Sequence, residues 1–440
     1  MATLTRQLVK LIAEKPCTNT DLQTAHLFLA DAGANMIAGR NSLAGRKLLT
    51  WARKIAPDNN INRLDPARKA FLLGSLCHIL EVDDLHRASV VHPGCVVAPV
   101  IFAMAGQHTR RQGLFAFLKG LEATTRLGMA VGPEHYRIWH NTATCGPFGS
   151  ALAAAHLLDL DEDQIVHALG NAGSQASGFW QFLDASAETK HMHAGRAAEA
   201  GFVATQLAQQ GFTGAPDILE GARGFFRATC KNPPVQNLLS SPDAPWQVHK
   251  NSIKPWPSCR HTHPAIQASL ALHKKLCHRL QDIVSIEVTT YQAALDLCDR
   301  PRPETVYGAK FSLQHCIATA LQTGIVDLAA FDPNARSQAS GLAEKMVLCT
   351  GEDFETAYPD KWGSEITVKF TDGSHLTQAT SSAKGDPDNP LSTSELEAKA
   401  RQLLDYSGIQ NPQKTLDQLL SQDDDAPLPD LVDLLSQSGP

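Results

Sequence analysis

The stretch Thr189–Gly201, TKHMHAGRAAEAG, governs how the rest of the chain reads. A cation, Lys190, and two imidazoles, His191 and His193, stand directly before a segment made almost wholly of small residues. Ala194, Gly195, Ala197, Ala198, Ala200 and Gly201 leave little side chain to hold the backbone off a neighbour. A helix starting near His193 can therefore pack closely against another helix or against a ligand. Its free N–H groups and dipole would favour an anion at the N-terminus, and Lys190 would add a full charge. Two readings stay open on this stretch alone: an anion-holding catalytic turn, and a tight helix crossing flanked by solvated Lys and His.

Outward from it, the first half of the chain predicts helix after helix. Asp21–Ala38, Asn41–Ile55, Pro66–Leu80, Val96–Ala105, Gly113–Leu127, Pro147–Leu158 and Glu162–Ser174 follow the 3.6-residue period. Several are apolar nearly all round (AFLLGSLCHIL, VVAPVIFAMAG, GSALAAAHLL), which places them inside a helical bundle. Asp161 is positioned to cap the helix after it, and Gly211 and Gly214 to end the one that begins near His193.

The composition changes after Gly224. Residues 231–258 are rich in Pro, Ser and Asn and read as a crossover between domains. A helix over His263–Lys274, an alternating strand over Ile283–Tyr291 and a helix over Phe311–Thr323 follow. Glu365–Phe370 and His375–Thr380 flank Asp372–Gly373, a hairpin signal. Helices return over Ser394–Tyr406 and Gln413–Leu420 and are expected to pack back on the first bundle. The fold expected from this pattern is mainly α with a small α+β domain after the crossover.

Bulk properties narrow the function. A chain of 440 residues, 43% hydrophobic and 19% charged, fits a globular protein of two or three domains. The net charge of −6, with no basic block, argues against nucleic acid as a partner. The amphipathic start, MATLTRQLVKLIAEKP, lacks the apolar core of a signal peptide, and no apolar run is long enough to span a membrane. The ten cysteines are scattered singly, which reads as free thiols in a reducing cytoplasm and against a structural zinc or iron–sulfur site.

Four stretches gather the polar groups able to do chemistry. Leu80–Cys95, LEVDDLHRASVVHPGC, puts three acids and two histidines between apolar helices, where Asp83 or Asp84 could equally cap a helix and His92 sit in a turn before Pro93. WHNTATCGPFG, 139–149, sets His140 before Gly146–Pro147, which reads as a helix start with Pro in its first turn. The Lys190 turn is the third. KPWPSCRHTHP, 254–264, supplies Lys254, Cys259, Arg260, His261 and His263. A zinc site built from Cys259, His261 and His263 with His191 and His193 matches the usual ligand spacings only loosely. Lys and Arg suit the carboxylates of a small polycarboxylate substrate, and histidines can move a proton beside one. No phosphate loop, GxSxG elbow or dinucleotide fingerprint is present.

In this order the stretches resemble the MmgE/PrpD family, which holds 2-methylcitrate dehydratases, cis-aconitate decarboxylases and iminodisuccinate epimerase. VDDLH…HPG, WHNTATCGPFG and KHMHAGRAAEAG carry the likeness. ILEGARGFF (218–226), KPWPSCRHTHPAI (254–266), KFSLQHC (310–316) and GDPDNPLS (385–392) extend it over nearly the whole chain. The resemblance implies a large all-helical domain from both chain ends, 1–255 and 393–440, a smaller α+β lid domain over 256–392, a cleft between them, a homodimer, and no metal or organic cofactor. It implies catalytic positions at His92, His140, Lys190 and Lys254, with Asp83, His193, Cys259, Arg260, His263 and His315 as substrate-binding candidates. Some positions depart from the cis-aconitate decarboxylases: Glu81 replaces their Asp, Leu85 their Thr, Cys259 their His and His315 their Tyr. The spacing to His92 is also one residue longer. These departures count against cis-aconitate decarboxylation and do not select among the other activities. The expectation is a cofactor-free lyase acting on a hydroxylated di- or tricarboxylate, 2-methylcitrate dehydratase-like. Epimerisation of a dicarboxylate, cis-aconitate-type decarboxylation and a catalytically silent scaffold are the alternatives. Lys190 is expected to hold a substrate carboxylate while His92 handles the proton.

Overall fold

The computed structural model describes residues 2–185, 187–276 and 278–437, and the protein is mainly α with a small mixed sheet. Two compact units divide it, residues 1–251 with 392–440, and residues 252–391.

In the first unit the helix Thr189–Gln209 lies against the helices Pro66–His78 and Asn141–Leu157. It starts one turn earlier than the sequence predicts, so Lys190, His191 and His193 lie within it. Its small residues serve helix crossings. A Cβ on Gly195 would stand 2.4 Å from the Phe71 carbonyl oxygen, and one on Gly201 would stand 2.5 Å from that of Pro147. Helix axes that approach so closely leave no room for a side chain between them.

The surrounding helices are Asn19–Gly39, Leu43–Ile55, Gly94–Ala103, Arg110–Val131 and Glu162–Gly173. Thr18 with Asp21, Thr109 with Gln112, and Asp161 with Gln164 form capping boxes that fix three of the starts. The helix expected to open at Pro147 instead begins at Asn141 and carries Pro147 inside it. That proline forfeits one backbone hydrogen bond.

The helices Thr393–Ser407 and Pro412–Leu419 belong to the same unit. Lys399 reaches from the first of them to Asp31 Oδ1 at 2.6 Å and to the Val82 carbonyl at 2.8 Å. Much of the Pro-rich stretch expected to cross between domains is also fastened here. The buried Glu122–Arg126 pair accepts from the Gln247 N–H at 2.7 Å and donates to the carbonyls of Leu238 and Ser240.

The second unit holds a four-stranded sheet in the order Met346–Thr350, Ile283–Thr290, Ser364–Phe370, His375–Thr380. The first pair is parallel and the other two are antiparallel. Ile286 faces Met346 on one side and Val368 on the other, and Val288 faces Leu348 and Ile366. Ile286, Val288, Ile366 and Val368 share a core with Ala268, Leu272 and Leu276 of the helix His263–Leu276. The strand Met346–Thr350 has no clean alternation and escaped the sequence reading. The hairpin lies where Asp372–Gly373 placed it, with residues 371–374 connecting the strands and Gly373 at φ +80°. Nine cysteines are free thiols, and the tenth, Cys277, lies outside the described residues, as do residues 438–440.

Candidate active site

The helix Pro66–His78 ends where the chemistry begins. Glu81 reverses the chain at φ +60°, a left-handed conformation that costs an ordinary side chain about 1–2 kcal/mol. Its carboxylate oxygens lie 2.5 and 2.7 Å from Lys190 Nζ, and both side chains are buried. The anion that the helix start was expected to draw from a substrate is thus supplied by the chain itself.

Asp83 is 1% exposed, with His78 Nδ1 at 2.6 Å and His92 Nδ1 at 3.3 Å from its Oδ2. Burial alone would raise its pKa, but the two imidazoles outweigh it and hold the carboxyl well below its usual range. Asp84 behaves oppositely. Burial, aided by the charge on Asp83, pushes it up to about 8 against the donors Asn251 and Gly94. Its oxygens accept from the Gly94 N–H at 3.0 and 3.1 Å, so Asp84 satisfies the first N–H of the helix Gly94–Ala103, whose N-cap position is Pro93. Lys399 steadies this turn from below through the Val82 carbonyl.

His92 Nδ1 lies 2.6 Å from the Asp84 carbonyl. A carbonyl only accepts, so Nδ1 carries the proton and the neutral ring has its lone pair on Nε2. The His92 N–H donates to Thr142 Oγ1 at 3.1 Å, which ties the turn to the helix Asn141–Leu157. His92 is the more open member of this group, its side chain 12% exposed against 0% for His78 and 1% for Asp83.

His140 stands at the start of the helix Asn141–Leu157, its Nδ1 3.4 Å from His193 Nδ1. Its ring lies parallel to that of His78 at 5.7 Å and packs on Trp180 at 4.7 Å. Burial, then the nearby imidazoles and Lys190, hold His140 well below its usual pKa, and burial takes His193 down to about 4. Both rings are therefore neutral near pH 7. A cavity of about 200 Å³ opens beside His193, lined by Gln175, Ser177, Gly178 and Arg196 among others.

Ligand atoms of His78, Asp83 and His92 lie within 4.8 Å of one another, the spacing of a metal trio. The proton on His92 Nδ1 is committed to the Asp84 carbonyl, so an ion there would have to displace that bond. The arrangement fits a carboxylate shared by two imidazoles better than a metal centre. The zinc alternative in the other stretch fares no better, since His261 Nδ1 faces Tyr291 Oη at 2.8 Å and His263 Nδ1 faces Arg260 Nη1 at 2.6 Å.

Of the residues singled out from the sequence, Asp83, His92, His140, Lys190 and His193 come together in the first unit. Lys254, Arg260 and His263 belong to the second unit, where all three are buried. Lys254 Nζ lies 3.3 Å from the Ser258 carbonyl, and Arg260 is paired with Asp386 and with the Lys384 carbonyl at 3.3 Å. Cys259 joins the apolar core with Cys298, and His315 is fixed by Nε2 to the Ala330 carbonyl at 2.8 Å. The sequence reading missed His78, which sits inside an apolar run, and Lys399, whose partner Val82 is 317 positions away. The only available signal for His78 was a lone imidazole five residues before Asp83.

The family model of the MmgE/PrpD N-terminal domain matches residues 6–237, and that of the MmgE/PrpD C-terminal domain matches residues 256–424. A cis-aconitate decarboxylase from Mus musculus is 28% identical over 360 residues, 77% of this chain and 72% of the relative. One from Aspergillus terreus is 25% identical over 352 residues, 73% and 71% of the two chains. A mitochondrial 2-methylcitrate dehydratase from Yarrowia lipolytica is 24% identical over 356 residues, 72% and 65% of the two chains.

Proposed function

Because the chain belongs to the MmgE/PrpD family, we propose that it is a lyase that removes a proton beside a carboxylate of a small hydroxylated di- or tricarboxylate. Relatives that decarboxylate and one that dehydrates support the lyase class. Dehydration is the reaction we assign. The observation that carries it is the His92 tautomer: Nδ1–H on the Asp84 carbonyl, with Asp83 at 3.3 Å to stabilise an imidazolium. That leaves Nε2 to take the proton, and a carboxylate beside the ring lowers the cost of charging it. Lys190, ion-paired with Glu81, is the charged donor of the same cluster and delivers a proton to the departing hydroxyl. With Glu81 and Asp83 both ionised, this cluster holds acid–base pairs and no surplus of cations. Such balance suits an elimination, in which one proton leaves and another arrives.

Citrate, 2-methylcitrate, cis-aconitate, malate, tartrate and iminodisuccinate, each incubated with the enzyme and followed by proton NMR, test the assignment. Loss of a hydroxylated substrate with a new vinyl signal is expected. Carbon dioxide release from cis-aconitate alone would make the protein a decarboxylase. Deuterium uptake from heavy water without net conversion would make it an epimerase. Inertness toward all six would end the enzymatic reading for this substrate class.

A further inference from the structure

The proposed chemistry leaves the buried imidazole of His78 without a role. His78 is fully buried at the end of the helix Pro66–His78, with Nδ1 2.6 Å from Asp83 Oδ2. Its ring stands edge-on to His92 at 4.7 Å and parallel to His140 at 5.7 Å, with 14° between the planes. Its Nε2 has no hydrogen-bond partner among the described residues. An unsatisfied buried nitrogen is a standing cost, and an apolar side chain of similar size would avoid it.

What an apolar side chain would not do is hold Asp83. The same carboxylate oxygen faces both imidazoles. A carboxylate only accepts, so the short contact fixes the proton of His78 on Nδ1 and fixes the carboxylate against rotation. A rigid Asp83 in turn fixes the ring of His92, while the face of His78 sets the plane of His140.

We propose that His78 is a positioning residue for the lyase site, orienting His92 through Asp83 and His140 through ring stacking. The proposal rests on the lyase reading for its kinetic part only. His78 does not reach the substrate, so its loss acts on turnover and leaves binding nearly unchanged.

Nitrogen-15 labelling of the histidines, read by NMR in the full-length protein, tests the geometry without any substrate. In the wild type Nδ1 of both His78 and His92 is expected to carry a proton. H78F keeps a flat ring against His140 and removes the donor to Asp83, whereas H78N keeps an N–H donor and removes the ring. In H78F the His92 Nδ1–H signal is expected to shift or broaden, and kcat to fall roughly ten- to a hundred-fold, part of the about 10²–10⁴ that an acid–base group supplies. KM is expected to change by less than about two-fold, and H78N to restore the His92 signal and part of kcat. A wild-type His78 that lacks a proton on Nδ1 overturns the proposal. So does H78F with the wild-type His92 signal and turnover. Should H78F fail to fold, the wild-type tautomer and H78N decide. Should no carboxylate be turned over, the lyase reading fails while the tautomers still decide the positioning role.

Discussion

Glu81 and Lys190 form a buried ion pair, with Nζ 2.5 and 2.7 Å from the two carboxylate oxygens and neither side chain more than 5% exposed. Breaking such a pair from one side strands a charge in low dielectric, whereas replacing both partners is far less costly. Lys190→Met alone is therefore expected to lower stability by about 3–5 kcal/mol, and the double change Glu81→Gln with Lys190→Met to recover most of it. Urea unfolding of the two single variants and the double variant measures the coupling. Additive losses would mean that the pair contributes nothing as a pair.

His92 answers a different question. Its side chain is partly open and its ring is held by Asp84 and Asp83, so its removal takes away a base and little packing. His92→Ala is expected to reduce kcat by about 10²–10⁴ with a nearly unchanged melting temperature. Steady-state kinetics beside a thermal melt check both halves. Normal turnover would remove His92 from the site.

Acid should unsettle the protein well above the usual carboxylate range. Burial lowers His86, His135, His156 and His193 to about 4, and His261 to about 3. An unfolded imidazole binds a proton near pH 6.5, so these groups contribute stability above that value and lose it as pH falls toward 4. Asp84 works the other way. Its folded pKa of about 8 means that the unfolded chain releases this proton first, so stability declines as pH rises toward 8. Melting temperature is expected to peak near pH 6.5, and Asp84→Asn to remove the decline between about 6.5 and 8. A variant that keeps the wild-type slope on the alkaline side would show that Asp84 is ionised in the native state.

Most of the helices were legible because burial imposes a 3.6-residue period, and residues such as Asp161 mark their starts chemically. Pro147 misled because a proline reads as a helix start from sequence, while packing holds it inside the helix Asn141–Leu157. At the candidate site, His92, His140 and Lys190 were visible as polar groups interrupting apolar runs. Their supports were not. Lys399 reaches Val82 from a distant helix, and nothing in the local pattern around Lys399 announces it. Glu81 reads as one more acid, and its positive φ is a property of the folded turn.

The close helix crossing makes a prediction that opposes ordinary helix propensity. Alanine in place of glycine inside a helix normally stabilises by up to about 1 kcal/mol. At Gly195 the added Cβ would meet Ser75 Oγ at 2.2 Å and the Phe71 carbonyl oxygen at 2.4 Å. The hydroxyl can rotate away, but the carbonyl belongs to the helix Pro66–His78 and yields only if the helices part. Overpacking of this kind costs typically about 1–3 kcal/mol, enough to reverse the propensity gain. Gly195→Ala is thus expected to melt lower than wild type. Gly341→Ala is the control, because a Cβ there meets nothing within 4 Å and the helix Pro333–Ala343 gains from it. Parting the helices would also move Lys190 and His193, which share the helix with Gly195, so turnover should fall together with stability. A Gly195→Ala protein as stable and active as wild type would mean that the two helices do not approach this closely.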